Sequence, residues 1–120
     1  MNCPFCSDKE IIMENSHAIA IYDKYPVNPG HMLIMPKRHF CDYFDATVDE
    51  KDDIWALVDE CKRYLDEKCQ PDGYNVGINA GIAAGQTVMH LHVHLIPRYK
   101  GDMDNPTGGV RGVIPDKRIY

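Results

Sequence analysis

An α+β fold follows from three patterns in this chain. They are a helical apolar stripe behind a capping box, two extended apolar runs joined by a Pro/Gly-rich connection, and a strict alternation of histidine with aliphatic residues. Together they predict a mainly antiparallel sheet of about five strands, an ordinary sheet size, with one long helix packed on it. The 120 residues match the usual length of one domain, so residues 1–120 are read as a single domain. Apolar residues make up 44% of the chain, enough for an ordinary core without an obligatory staple.

Taken in order, the chain opens with Cys3-Pro4-Phe5-Cys6, a C-x-x-C that alone fits a redox pair, half of a metal site, or no special role. A redox pair would be expected in a thioredoxin-like βαβ context, and none follows. Ala18–Tyr22 reads as a strand too continuously apolar for its faces to be assigned, with His17 before it a surface histidine. Residues 23–30, rich in turn formers, lead to a second strand, His31–Met35, ended by Pro36. The two strands are expected to pair antiparallel.

Thr47-Val48-Asp49-Glu50 places a hydroxyl at an N-cap and a carboxylate three residues on, the signature of a capping box. Apolar residues follow at 54, 57, 58, 61, 64 and 65, so a helix is expected from about Val48 to Cys69, before Pro71-Asp72-Gly73. The carboxylates of Asp49, Glu50, Asp52 and Asp53 read as a solvated helix start, where the macrodipole favours negative charge. Trp55 is either core or dimer interface. Tyr74–Asn79 alternates as a strand. The small residues of 79–85 form a loop that would let a phosphate approach backbone N–H groups. The tail is turn-rich. Within it Arg111, flanked by Gly108-Gly109 and Gly112, is either a solvated surface arginine or a donor to an anionic ligand.

The net charge of −5 and the lack of a basic stripe argue against nucleic acid as partner. No apolar run is long enough for a membrane span. Five cysteines, an odd number, in a chain whose start lacks the basic and apolar regions of an export signal point to reduced thiols and a cytoplasmic setting.

The chemistry concentrates in residues 85–98. A strand sends alternate side chains to opposite faces, so His90, His92 and His94 would share one face, spaced roughly 6.5–7 Å apart at the backbone. A metal site, a proton relay or a nucleophilic imidazole could each use such a row, and so could a plain half-exposed strand. Just upstream, Gly85, Gln86 and Thr87 bring a flexible backbone, an amide and a hydroxyl able to donate to an oxyanion.

The run from Gly85 to Arg98, with its three alternating histidines each followed by an apolar residue, resembles the signature of the histidine triad family of nucleotide hydrolases and transferases. Cys3-Pro4-Phe5-Cys6, Pro29-Gly30-His31, Pro36-Lys37-Arg38-His39 and Asn79 fall where family members carry similar features, so the likeness spans nearly the whole chain. The branch most resembled contains the fragile histidine triad and diadenosine polyphosphate hydrolases. The resemblance implies the histidine triad fold and a homodimer. It makes His92 the nucleophile toward an α-phosphorus, with His94, Gln86, Thr87 and nearby N–H groups stabilising the phosphate oxygens. Asp23 would accept from ribose hydroxyls, Asn79 and Gly85 would meet the phosphate, and His31 would support the triad. Cys3, Cys6, His39 and His90 match the positions of a structural zinc, and magnesium would arrive with a polyphosphate substrate. Ile21 and Ile34 are either base slot or core. The activity implied is hydrolysis of a diadenosine tetraphosphate-like substrate. Nucleoside phosphoramidate hydrolysis, nucleotidyl transfer or phosphorolysis, zinc held by all three triad histidines, and a nucleotide-binding module with vestigial activity are the alternatives.

Overall fold

The structure, a computed structural model, describes residues 3–120; Met1 and Asn2, part of the stretch read above for an export signal, lie outside them. Five strands form one antiparallel sheet: β1 (Met13–Glu14), β2 (Ala18–Tyr22), β3 (Met32–Pro36), β4 (Gly73–Ile78) and β5 (Val93–Arg98), in the spatial order β1-β2-β3-β5-β4. The single long helix, α1, spans Val48–Cys69 between β3 and β4. The fold is α+β. Among the described residues no helix is long and apolar enough to cross a membrane.

β2 and β3 are buried on both faces, which is why β2 reads as continuously apolar. Ala18 and Ala20 of β2, Met32 and Ile34 of β3, and Val93 and Leu95 of β5 face the helix, meeting its Ile54, Leu57, Val58, Cys61 and Leu65. Each large side chain buried in this layer contributes about 1.5–3 kcal/mol. On the opposite face Ile19, Ile21, Leu33 and Met35 form a second apolar cluster with Phe5 leaning on it. Ile34 therefore belongs to the core. Ile21 stands on the other side, where the cavity described below opens.

The helix runs between the expected residues. Thr47 Oγ1 accepts from the Glu50 N–H at 3.1 Å, and a Glu50 carboxylate oxygen accepts from the Thr47 N–H at 2.9 Å. At its other end Gln70 takes a left-handed conformation, φ 47° and ψ 54°, and closes the last turn before Pro71. Gly30, at φ 92°, turns the chain into β3 where a Cβ would press on Leu65, Cys69 and Pro97 at 3.1–3.2 Å. Trp55 is 38% exposed and donates to the Tyr43 hydroxyl at 3.2 Å, so it sits beside the core rather than in it.

Glu50 corrects the reading of the acidic helix start. It is 4% exposed, and Arg38 grips it with two bonds of 3.0 and 2.9 Å. The guanidinium and the Thr47 bonds, working against burial, hold its carboxyl down to about 2. A carboxyl lowered from its unfolded value stabilises the fold above that value and loses the contribution as pH falls toward 2. With Arg38 half exposed, the contribution is about 2 kcal/mol. Glu50→Gln should therefore lower stability by about that amount at pH 7. Denaturant melts from pH 7 to 3 should show the gap between variant and parent closing; a constant gap would mean the pair does not act through charge.

Several strand boundaries also differ from expectation: β3 starts at Met32 rather than His31, and β4 spans Gly73–Ile78 rather than Tyr74–Asn79. β1 is only two residues long, too short to leave a periodic signal. Pro36 lies inside β3 as its last residue, opposite Ala18, where a missing N–H costs no ladder bond. β5 begins at Val93, so His90 and His92 precede the ladder. The Leu91 N–H is instead taken by the Phe40 carbonyl at 2.8 Å.

Candidate functional site

The departure from the ladder separates the three histidines into three environments. His90 is 1% exposed, and its Nε2 donates to the Pro36 carbonyl at 2.9 Å. That bond fixes the tautomer and leaves the Nδ1 lone pair facing the N-terminal segment. There Nδ1 lies 3.6 Å from Cys3 Sγ, 3.5 Å from Cys6 Sγ and 3.1 Å from His39 Nδ1, while Cys6 Sγ is 3.3 Å from His39 Nδ1. All four ligand atoms fall within 4.8 Å of one another. Two thiols and two imidazole nitrogens so placed are the donor set of a tetrahedral zinc site, with the His90–Pro36 bond acting as its outer-shell support. The residues fit the metal.

His92, two residues on, lies on the same face, with Phe5 packed edge-on against both rings. Its Nδ1 donates to the His90 carbonyl at 2.8 Å, an oxygen freed because β5 starts at Val93. The lone pair is thereby placed on Nε2, which has no hydrogen-bond partner among the described residues. His94 has the reverse polarity, and the reason begins at a backbone amide. The Val27 N–H donates to His31 Nδ1 at 3.0 Å, so the His31 proton is on Nε2. That proton is given to His94 Nδ1 at 3.0 Å, with Asp23 Oδ2 further away at 3.4 Å. His94 consequently carries its own proton on Nε2. Burial, with the neighbouring His92 and His31, holds His94 down to about 4, and burial likewise lowers His31. Both rings are neutral at pH 7. The site thus sets an imidazole acceptor beside an imidazole donor, ring centres 5.0 Å apart.

This arrangement excludes two metal readings. Zinc held jointly by the three triad histidines fails because their nitrogens point to different partners. Asp23, His31 and His94 also converge within 4.8 Å, but His31 Nε2 keeps its proton and has no lone pair to offer.

A cavity of about 710 Å³ lies before His92 and His94, within the usual range for small-molecule sites. Asp23, Asn79, Gly85 and Thr87 line it, so six of the expected ligand contacts meet there. Its apolar end is made by Phe5, Ile12, Ile21 and Leu33. Phe5 packs edge-on against His92 with ring centres 5.0 Å apart. The sequence reading missed Phe5 and Leu33. The only sequence signal was Phe5's place between two cysteines; Leu33 faces the site because β3 pairs with β5, setting Leu33 across the ladder from His94.

Two expectations are corrected here, and the choice left open for Arg111 is narrowed. Gln86 is 4% exposed and does not line the cavity: its amide nitrogen donates to the Cys41 and Val88 carbonyls at 2.9 and 3.2 Å, and its oxygen accepts from the Gly81 N–H at 3.0 Å. With both donors taken, it braces the loop. The N–H groups of Ala84, Gly85 and Gln86 are likewise spent on loop carbonyls, while the Thr87 hydroxyl is bonded to no described residue. Arg111 is turned into the tail, donating to the Lys117 carbonyl at 2.9 Å and stacking on Tyr120 at 4.7 Å.

The HIT domain model matches residues 6–101, more than half of the chain. This chain belongs to the HIT family. Among HIT relatives, it is 36% identical over 117 residues to AP-4-A phosphorylase of Mycobacterium tuberculosis, covering 93% of this chain and 60% of that protein. It is 38% identical over 96 residues to bis(5'-adenosyl)-triphosphatase of Dictyostelium discoideum, covering 80% of this chain and 64% of that protein. The chain thus spans less than two thirds of either enzyme. A solved Zn-bound histidine triad family protein from Mycobacterium smegmatis superposes with a TM-score of 0.76 at 34% identity, over 83% of this chain and 77% of that one. The HIT match stops at residue 101, so the tail lies outside it.

Proposed function

We propose that this chain is a nucleotide-processing enzyme that cleaves at the α-phosphorus through a nucleotidyl-histidine intermediate on His92. The observation that carries this reading is the opposed polarity of His92 and His94 at the wall of one cavity. The His92 Nε2 lone pair attacks phosphorus, the bond to the leaving group breaks, and its electron pair departs with that group. The positive charge developing on the imidazole is met by the His90 carbonyl at Nδ1–H. The His94 Nε2–H and the Thr87 hydroxyl donate to the phosphate oxygens, where charge accumulates. Water then attacks phosphorus and gives up a proton to solvent, the P–N bond breaks, and its electron pair returns to Nε2.

Asp23 holds the ribose hydroxyls, Asn79 and Gly85 flank the phosphate, and the base enters the apolar end beside Phe5. Cys3, Cys6, His39 and His90 would hold a structural zinc ion, which would neutralise the thiolates and clip the N-terminal segment to the triad. The names of the two enzyme relatives support a dinucleoside polyphosphate of the diadenosine tetraphosphate kind, which would bring its own magnesium. In phosphorolysis, phosphate replaces water in the second step. A homodimer is part of the proposal, supported by β4 standing at an edge of the sheet.

The test is the intact-protein mass after acid quench during turnover. A mass gain of one nucleotidyl group, mapped to the peptide carrying His92, is expected. Nucleotide binding with neither adduct nor turnover would favour a binding module.

A further inference from the structure

Residues 3–11 wall the cavity from outside the sheet, yet little joins them to the fold. Pro4, Phe5, Ser7 and Lys9 line it. The segment's own hydrogen bonds are internal: the Cys6 and Ser7 N–H groups donate to the Cys3 carbonyl at 3.0 and 3.2 Å, Ser7 Oγ to the Pro4 carbonyl and Lys9 Nζ to the Ser7 carbonyl. The first backbone bond to the sheet comes from the Ile12 N–H, to the Ala20 carbonyl at 2.9 Å. Among the described residues, the only hydrogen-bonding contacts between residues 3–11 and the rest of the chain are those of Cys3 and Cys6 with His39 and His90. The wall is a flap, hinged near Ile12 and pinned at two thiols, with Phe5 leaning on the apolar cluster beneath.

The same two thiols are placed to react with each other. Their sulfurs lie within 4.8 Å. The Cys6 N–H to Cys3 carbonyl bond is that of a β-turn, which keeps the first and fourth Cα atoms within about 7 Å, a span that a disulfide can bridge. Cys6 is exposed and Cys3 is buried behind it, so a small oxidant reaches one thiol while the other waits to resolve it. On the zinc reading above, both are thiolates, the form that reacts with peroxide.

We propose that Cys3 and Cys6 form an oxidation site for hydrogen peroxide, through which oxidant loosens the cavity wall and weakens nucleotide binding. This rests on the zinc and nucleotide readings above. The Cys6 thiolate attacks peroxide, the O–O bond breaks, sulfur keeps one hydroxyl as a sulfenic acid and hydroxide leaves. The Cys3 thiolate then attacks the Cys6 sulfur, the S–O bond breaks and a second hydroxide leaves. Two electrons pass from the sulfur pair to one peroxide. The disulfide brings no negative charge to a metal, and the imidazoles of His39 and His90 alone are too few to retain zinc. The flap then has no polar anchor, and Phe5 withdraws from the His92 ring.

The test starts from zinc-loaded, reduced protein treated with a few equivalents of hydrogen peroxide. A chromophoric zinc indicator should report release of about one ion per chain, in step with a mass loss of two hydrogens that peptide mapping places on a Cys3–Cys6 link. AMP binding, followed by calorimetry, should weaken about tenfold, the effect of losing one well-packed aromatic contact, and recover with dithiothreitol and zinc. Cys6→His, which keeps four zinc donors without a second thiol, should retain both metal and AMP under the same treatment. Cys41→Ser should respond as the parent does. Retention of zinc with both thiols intact, a link to Cys41 instead, or unchanged AMP binding after the disulfide has formed overturns the proposal. The parent's own peptide map and binding curve decide this whether or not the Cys6→His protein folds. Starting protein that takes up no zinc overturns the metal reading and the proposal together. Failure of AMP to bind reduced, zinc-loaded protein overturns the nucleotide reading, and with it the effect on binding, while the mass and zinc measurements still decide the oxidation site.

Discussion

His92→Ala is expected to lower kcat by several decades while the nucleotide dissociation constant moves by only a few fold. The lost Nε2 is the only lone pair aimed from the triad into the cavity, because His94 presents a proton there and His90 faces Cys3, Cys6 and His39. Removing a nucleophile abolishes the two-step route, whereas removing one donor to a phosphate oxygen costs about 10²–10³. His94→Ala should therefore be the milder change, and it should still form the adduct, slowly. Quenched-flow mass measurement and binding on each variant give the comparison. A His92→Ala protein that turns over near the parental rate, or still carries a phosphorus–nitrogen adduct, would remove His92 from its role.

Cys3→Ser together with Cys6→Ser should lower stability and activity at once. Structural zinc contributes on the order of 10 kcal/mol in small domains that cannot fold without it. Here α1 and the sheet carry a core of their own, so a smaller loss is expected, about 3 kcal/mol or about 10 °C in Tm. Activity should fall because the same segment delivers Phe5 to the His92 ring. Metal analysis of protein never exposed to chelator should give one zinc per chain, and a cobalt-substituted sample should show thiolate bands. Zinc-free protein with an unchanged melting curve after the double substitution would refute the clip.

Helix α1 was legible in the sequence to its terminal residues because everything that defines it is local. A capping box starts it, a helical stripe of apolar residues sustains it, and Pro71 forbids continuation. The Arg38 grip on Glu50 was not legible, since nothing local ties a loop arginine to a residue twelve positions on. The alternation in residues 90–95 located the site but not where the ladder starts. That depends on Phe40 and Pro36, whose carbonyls draw Leu91 and His90 out of the sheet. Side-chain aim was the least readable feature: Gln86 and Arg111 have the right chemistry for phosphate, yet both are consumed by backbone carbonyls. The polarity of His94 was beyond a local reading, because it originates in the amide of Val27, which acts through His31.

The sheet face opposite α1 carries Ile21 and Leu33 as members of the second apolar cluster and as walls of the first cavity. A family diversifying its base preference cannot freely alter these two positions, since each change would also be a core mutation with a penalty of a few kcal/mol. Phe5 also lines that cavity but approaches it from outside the sheet, leaning on the cluster rather than forming part of it. Drift in ligand choice should therefore be easier at Phe5, on the N-terminal segment, than at Ile21 and Leu33, which the demands of folding hold fixed.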